Sequence, residues 1–183
     1  QYYSLRSEKN GNEFVRAARF IHLNKTSFNG IYRVNLNREY NVPYGKKTYD
    51  TNTLSELIIS ASVQLKNTTI KQSDFNDCLS NIDQGDLVYL DPPYTITHNN
   101  NGFVKYNEKL FSYDDQLQLC KFISEIRFRG AYYILSNAHH PEVEKIYNQF
   151  NDNMFSLTRG SMIGGTLKSR GKYEEYLFTN IEI

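Results

Sequence analysis

Three features of the chain predict an α/β fold. Two short β-prone runs, Leu87–Leu90 and Ala131–Ser136, flank a stretch from about Tyr113 to Phe128 with near-helical spacing. A strand–helix–strand order of this kind places its strands parallel in one sheet. Two more strand-like runs, 154–158 and 174–181, have no helix between them and close the sheet as a hairpin. The predicted architecture is a mostly parallel sheet over residues 54–183, preceded by a small helical lobe over residues 1–53.

The chain has 183 residues, enough for one sizeable core, or a core and a small lobe. Charged residues make up 22% and hydrophobic ones 39%, an ordinary globular balance. A formal net charge of +1 argues neither for nor against nucleic acid, so any basic patch must come from local clustering. Cys78 and Cys120 are far apart, without metal-ligand spacing, and read as free thiols of a reducing compartment. His22, His98, His139 and His140 form no metal set, and none is expected. No apolar run of about 18 residues exists to span a membrane. The first residues lack a signal-peptide core and a starting Met, so the chain reads as cut.

Residues 1–10 read as the end of a helix. From Asn12 to about Lys25, Phe14, Ala17, Ala18 and Ile21 recur at helical spacing, with Asn10 or Asn12 as cap. Arg16, Arg19 and Lys25 fall on other faces, where a solvated role is the ordinary one. Turn chemistry follows at Asn29-Gly30, Asn37 and Pro43-Tyr44-Gly45, with Phe28, Tyr32, Tyr40 and Tyr44 interleaved among Arg33, Arg38, Lys46 and Lys47. Such a loop suits nucleic acid: Arg forks onto guanine, Asn pairs with the adenine edge, and an aromatic ring wedges between base steps. It equally suits a surface hairpin whose tyrosines pack on the helix beneath. Thr53 or Ser55 caps a helix from about Leu54 to Leu65, with Leu54, Leu57, Ile58, Ala61 and Leu65 apolar. Thr68–Gln72 reads as a short strand, and Ser73-Asp74-Phe75 opens a short helix to about Asn81.

The run at 87–90 reads as a buried strand, and Asp91 ends it. Pro92 and Pro93 forbid both a ladder donor and a helix, so the backbone leaves the sheet stiffly and Tyr94 projects from the corner. A carboxylate, a carbonyl outside the sheet and an aromatic ring thus meet at the C-terminal end of a strand, where open α/β sheets bind ligands. The plainer reading is a strand terminator with a surface tyrosine. Thr95–Gly102, rich in Asn, reads as a mobile loop beside this corner, and Phe103 and Tyr106 follow it. Gly130 stops the helix at 113–128, Ser136-Asn137 again ends a strand, and Pro141 starts a helix to about Phe150. Between the last two strands, Lys168, Arg170 and Lys172 lie in a glycine-rich loop, either a phosphate grip or an ordinary hairpin tip.

Asp91-Pro92-Pro93-Tyr94 resembles the signature of amino-group DNA methyltransferases, in which these four residues line the pocket of the flipped base. Phe28-Asn-Gly-Ile-Tyr-Arg-Val-Asn35 with Tyr40-Asn-Val-Pro-Tyr-Gly45 resembles the target-recognition hairpin of Dam-type DNA adenine methyltransferases, which read GATC. The resemblance implies that Phe28 wedges into the duplex, Asn29 fills the gap of the flipped base, Arg33 reads guanine and Pro43 touches a thymine methyl, with Asn35 in the same DNA-contacting set. It implies S-adenosylmethionine as cofactor, with Asp74 accepting its adenine amino group, Phe75 covering the ring and Asp91 nearby. N-capping and core packing explain Asp74 and Phe75 equally well. It also implies phosphate contact by Lys168, Arg170 and Lys172, double-stranded DNA as partner, and a cytoplasmic, bacterial or phage-encoded enzyme. A glycine usual before the hairpin's second half is replaced by Asn37-Arg38-Glu39, where Asn37 can take the positive φ. The family's Lys-bearing first motif and its Phe-x-Gly-x-Gly loop are absent, and so are two strands that sit mid-sheet between 68–72 and 87–91. The chain is therefore expected to be the C-terminal part of a Rossmann-like methyltransferase sheet with a target-recognition lobe, needing a missing N-terminal segment. The alternatives are a non-catalytic DNA-binding remnant and an N4-cytosine methyltransferase.

Overall fold

The computed structural model describes residues 1–94, 111–160 and 172–182. They divide into two compact units, Gln1–Lys71 and Gln72–Ile183.

The first unit holds helices α1 (Tyr2–Ser7), α2 (Glu13–Thr26) and α3 (Thr51–Gln64), with a hairpin-like segment between α2 and α3. Asn12 caps α2, its side chain accepting from the Val15 amide at 3.0 Å. The buried residues of α2 are Leu23 and Thr26, whereas Phe14 is 75% exposed, so the inward face is not the one set by Phe14, Ala17, Ala18 and Ile21. The last turn of α2 is seated against the hairpin, and Phe20 before it meets Tyr32, ring centroids 5.5 Å apart. Gly45 N donates to Thr26 O at 2.8 Å, and Phe28 N donates to Pro43 O at 2.9 Å. Tyr2 ties α1 to the same place, its hydroxyl donating to Val42 O at 3.0 Å. Burial, the main cause, pushes the Tyr2 pKa up to about 12, so it remains a donor at any ordinary pH.

The hairpin is held by isolated bridges, Ser27 to Tyr44 and Val34 to Tyr40, rather than a continuous ladder. Its turn is closed by Asn35, whose Oδ1 accepts from the amides of Asn37 at 3.0 Å and Glu39 at 2.9 Å. With Asn37 fixed in this way, Arg38, not Asn37, takes the left-handed conformation, φ 61°. Gly45 is required by close approach: a Cβ there would lie 2.4 Å from Ser27 O and 2.9 Å from Phe28 N.

Helix α3 starts three residues earlier than its apolar spacing suggests. Asp50 is the cap, accepting from the amides of Asn52 and Thr53 and from the Thr53 hydroxyl. Those bonds, the hydroxyl's first, hold its carboxyl below the usual carboxylate range. No residue of α3 is buried; Leu57, Ile59 and Val63 stay exposed. Thr68–Gln72 forms no strand, because no described strand pairs with it. Ile70 accordingly remains exposed.

The second unit runs from a 3₁₀ turn, Phe75–Asn81, through β1 (Leu87–Leu90), α4 (Tyr113–Phe128), β2 (Tyr132–Ala138), α5 (Pro141–Tyr147), β3 (Asn153–Gly160) and β4 (Lys172–Thr179). The sheet order is β1-β2-β4-β3. Only β1 and β2 are parallel; β4 is antiparallel to both β2 and β3. The expected mostly parallel sheet is therefore a mixed one, since the C-terminal hairpin supplies half of its strands. Helices α4 and α5 contribute Leu119, Phe122, Ile123, Ile126, Val143, Ile146 and Tyr147 to the core with Leu90, Tyr133, Leu135 and Phe178 of the sheet. Successive strand residues alternate faces. Leu90 is buried, but Leu87 and Tyr89 are 58% and 63% exposed, so β1 is covered on one face only, not buried throughout.

Helix α4 opens on a capping box: the Ser112 hydroxyl accepts from Asp115 N, and the Asp115 carboxylate accepts from Ser112 N at 2.6 Å. One polar cluster lies inside the core. Asn137 Nδ2 donates to Gln116 Oε1 at 3.1 Å, the Tyr147 hydroxyl donates to the same oxygen at 2.5 Å, and Asn137 Oδ1 accepts from Ala138 N. It joins β2, α4 and α5, and every side chain in it is buried.

Two variants test these packings. Asn137→Ala should lower unfolding free energy by about 2 kcal/mol, because it removes bonds from a buried cluster. A shifted urea midpoint with unchanged slope is the expected result. Gly45→Ala should loosen the hairpin while leaving α4 and the sheet intact, seen as faster amide exchange confined to residues 26–45.

Candidate active site and nucleic-acid interface

The register of β1 with β2 pairs Leu90 with Leu135. Asp91 and Ser136 therefore leave the ladder side by side at the C-terminal edge. Asp91 is exposed, and the two prolines carry the chain off the sheet so that Tyr94 is half-buried. The hydroxyls of Tyr94 and Ser136 are 3.0 Å apart. The charge of Glu175 of β4 acts on the Tyr94 hydroxyl, and Arg159 of β3 forms an ion pair with Glu175. Burial raises the Tyr94 pKa; the Ser136 bond works against that, and the charges of Glu175 and Asp91 add to it. The phenol is thus neutral and can donate.

Asp74 and Phe75 have the local roles that the plainer reading gave them. Asp74 Oδ1 accepts from Asn76 N at 2.9 Å and from Asn76 Nδ2 at 2.8 Å, capping the 3₁₀ turn. Phe75 stands edge-on to Phe122, ring centroids 5.4 Å apart, and 6.3 Å from Phe111. Asp74 nevertheless remains exposed and Phe75 half-exposed, so both can meet a flat ligand.

In the first unit, Phe28, Asn29 and Pro43 are exposed, and Asn29 is left-handed with φ 55°. Arg33 is exposed; its Nε donates to Asn41 Oδ1 at 2.8 Å, and its terminal nitrogens have no partner among the described residues. A guanidinium fixed at Nε is pre-set to present its outer fork. Asn35 differs: its oxygen closes the turn and its Nδ2 donates to Glu39 Oε2 at 3.1 Å. Its amide is spent inside the hairpin. Lys168 and Arg170 lie outside the described residues, as do the loop at 95–102, Phe103 and Tyr106; Lys172 opens β4, and its side chain is also outside them.

Composition alone hid one signal. The first unit has eleven basic and five acidic residues, a formal +6; the second has ten and fifteen, a formal −5. A cleft of about 620 Å³ in the first unit is lined by Arg6, Lys9, Arg16, Arg19 and Arg38 against Glu8 and Glu39. Phe20, Tyr32 and Tyr40 form its aromatic wall, ring centroids 5.5 and 5.7 Å apart in sequence. Counting charge per predicted unit would have found this asymmetry. Ser136, Asn41 and Glu175 carried no such signal, since their roles depend on cross-strand neighbours. Among the described residues no group of His, Cys, Asp and Glu could hold a metal, and no helix is long and apolar enough to cross a membrane.

Comparison with known proteins supplies the family. The family model of the D12 class N6 adenine-specific DNA methyltransferases matches residues 1–159, a span that includes the hairpin and the Asp91–Tyr94 corner. A type II methyltransferase of Lactococcus lactis subsp. cremoris is 37% identical over 170 residues, covering 92% of this chain and 59% of the relative. Another, from Methanocaldococcus jannaschii, is 37% identical over 183 residues, covering 94% and 62%. The DNA adenine methylase of Escherichia coli K12 is 30% identical over 172 residues, covering 91% and 61%. The chain spans roughly three fifths of the length of these relatives. With more than half of its residues matched by that family model, the chain belongs to the D12 class N6 adenine-specific DNA methyltransferases.

Proposed function

We propose that the chain forms the target-recognition lobe and the base-binding part of an enzyme that methylates N6 of adenine in double-stranded DNA, with GATC as its site. The observation that carries this is the corner after β1. There an exposed carboxylate, a proline carbonyl and a ring held at its hydroxyl meet at the C-terminal end of a strand. The adenine-specific class of the family model favours adenine over the N4-cytosine alternative.

The chemistry asked of these residues is modest. An adenine amino group is a poor nucleophile because its lone pair is delocalised into the ring. The Asp91 carboxylate and the Pro92 carbonyl accept its two N–H hydrogens, which draws the nitrogen toward a tetrahedral form and frees the lone pair. Fixed acceptors of this kind stabilise developing positive charge. Tyr94 stacks on the extruded base, worth about 1–3 kcal/mol. S-adenosylmethionine, when bound, supplies the methyl group. The half-exposed Phe75 ring and the exposed Asp74 carboxylate fit its adenine portion. Its methionine portion finds no glycine-rich cradle in this sequence, so an N-terminal segment, in the same or another polypeptide, completes that half. After transfer the surplus proton leaves through Asp91 to water.

Recognition belongs to the first unit. Phe28 wedges into the duplex, Asn29 occupies the vacated space, Arg33 reads guanine with its outer fork and Pro43 meets a thymine methyl. Asn35 holds the turn that aims them. The +6 charge and the basic cleft supply phosphate contacts, to which Lys168, Arg170 and Lys172 add.

Asp91→Ala in the complete enzyme should abolish methyl transfer while duplex affinity stays within about twofold; gel shift and tritiated-methyl incorporation separate the two. Normal turnover in that variant would sink the mechanism, and a wild type that binds GATC duplexes without turnover would favour the non-catalytic alternative. Arg33→Ala should cost about 1–3 kcal/mol of discrimination at one base pair. Methylation rates on GATC and on singly substituted sites measure it.

A further inference from the structure

Ser136 is the first residue of β2 beyond its ladder with β1, and the chemistry above does not use it. Its hydroxyl nonetheless stands 3.0 Å from that of Tyr94, a residue 42 positions away. The two prolines before Tyr94 fix the main chain but leave its side-chain torsions free, so the plane of the ring must be set from elsewhere. We propose that Ser136 is a positioning residue that clamps the Tyr94 hydroxyl and so fixes the ring face on which the target base stacks; this rests on the methyltransferase reading given above.

The strand registers place the clamp. The β1–β2 register delivers Ser136 beside the corner, and the β2–β4 register pairs Glu175 with Ala138, two residues further along. Arg159 from β3 compensates the Glu175 charge. A phenol oxygen tied to the Ser136 hydroxyl leaves the ring faces for a ligand. A ring held at its tip cannot swing when the base enters, so the amino nitrogen arrives at a defined height over Asp91. A misplacement of that nitrogen slows chemistry without weakening the grip on DNA, since neither the recognition hairpin nor the phosphate contacts involve Ser136.

The test is a double-mutant cycle in the complete enzyme, with kcat, duplex Kd and melting temperature measured together. Ser136→Ala and Tyr94→Phe should each lower kcat roughly tenfold, the worth of one good hydrogen bond. Duplex Kd and melting temperature should not move. The double variant should be no slower than either single one, because both remove the same contact. Multiplying losses, a wild-type kcat for Ser136→Ala, or a kcat loss matched by a falling melting temperature would each overturn the clamp. A complete wild-type enzyme without adenine methylation would overturn the function itself, and the clamp with it.

Discussion

The parallel pairing of β1 with β2 is the constraint on which the second unit depends. It is short, four residue pairs, and it is started by two backbone bonds outside the strands: Gly85 N to Gly130 O at 3.0 Å and Tyr132 N to Asp86 O at 2.7 Å. Gly130 takes φ 72° where α4 turns into β2, so a glycine at the helix end sets where the ladder begins. A slip of one residue would turn Leu90 out of the core and Asp91 into it. It would also part Ser136 from Tyr94. The buried Asn137–Gln116–Tyr147 cluster fixes the other side of this pairing, holding β2 against α4 and α5.

The two units use different means to hold a loop still. In the second, a strand end and two prolines do it. In the first, the hairpin has almost no ladder, and side chains replace one: Asn35 closes the turn, Tyr2 holds the return strand and Gly45 lets the two ends touch. A reading surface built this way keeps its outward residues unpaired and available. Phe28, Asn29 and the fork of Arg33 all point away from the contacts that hold the segment.

Much of this was legible in the sequence, for physical reasons that can be named. Helices α2 and α4 announce themselves through Asn12 and Ser112, side chains that satisfy amides in any context. Strands β1 and β2 follow from β-prone runs bounded by turn residues. The start of α3 was missed because Asp50 sits in a polar stretch, and its capping is a local bond that apolar spacing does not register. The strand expected at 68–72 needed a neighbour, which propensity cannot supply. The inward face of α2 was misjudged because its fully buried residues lie in the last turn, so Leu23 and Thr26 matter and Phe14 does not. The motif residues of the corner were visible one by one. The Ser136 contact was not, since it arises from a register between strands far apart in the chain.

The opposite charges of the two units bear on how the molecule behaves before it touches a specific site. Its formal charges nearly cancel, yet a charged surface responds to what lies within about 8–10 Å, not to the total. At one pH the protein should adsorb to a sulfonate resin through its first unit and to a quaternary-amine resin through its second. A polyanionic rod presents the same choice. It attracts the basic unit and repels the carboxylate-rich one, so first encounters fall on the basic unit while the partners are still separated by solvent.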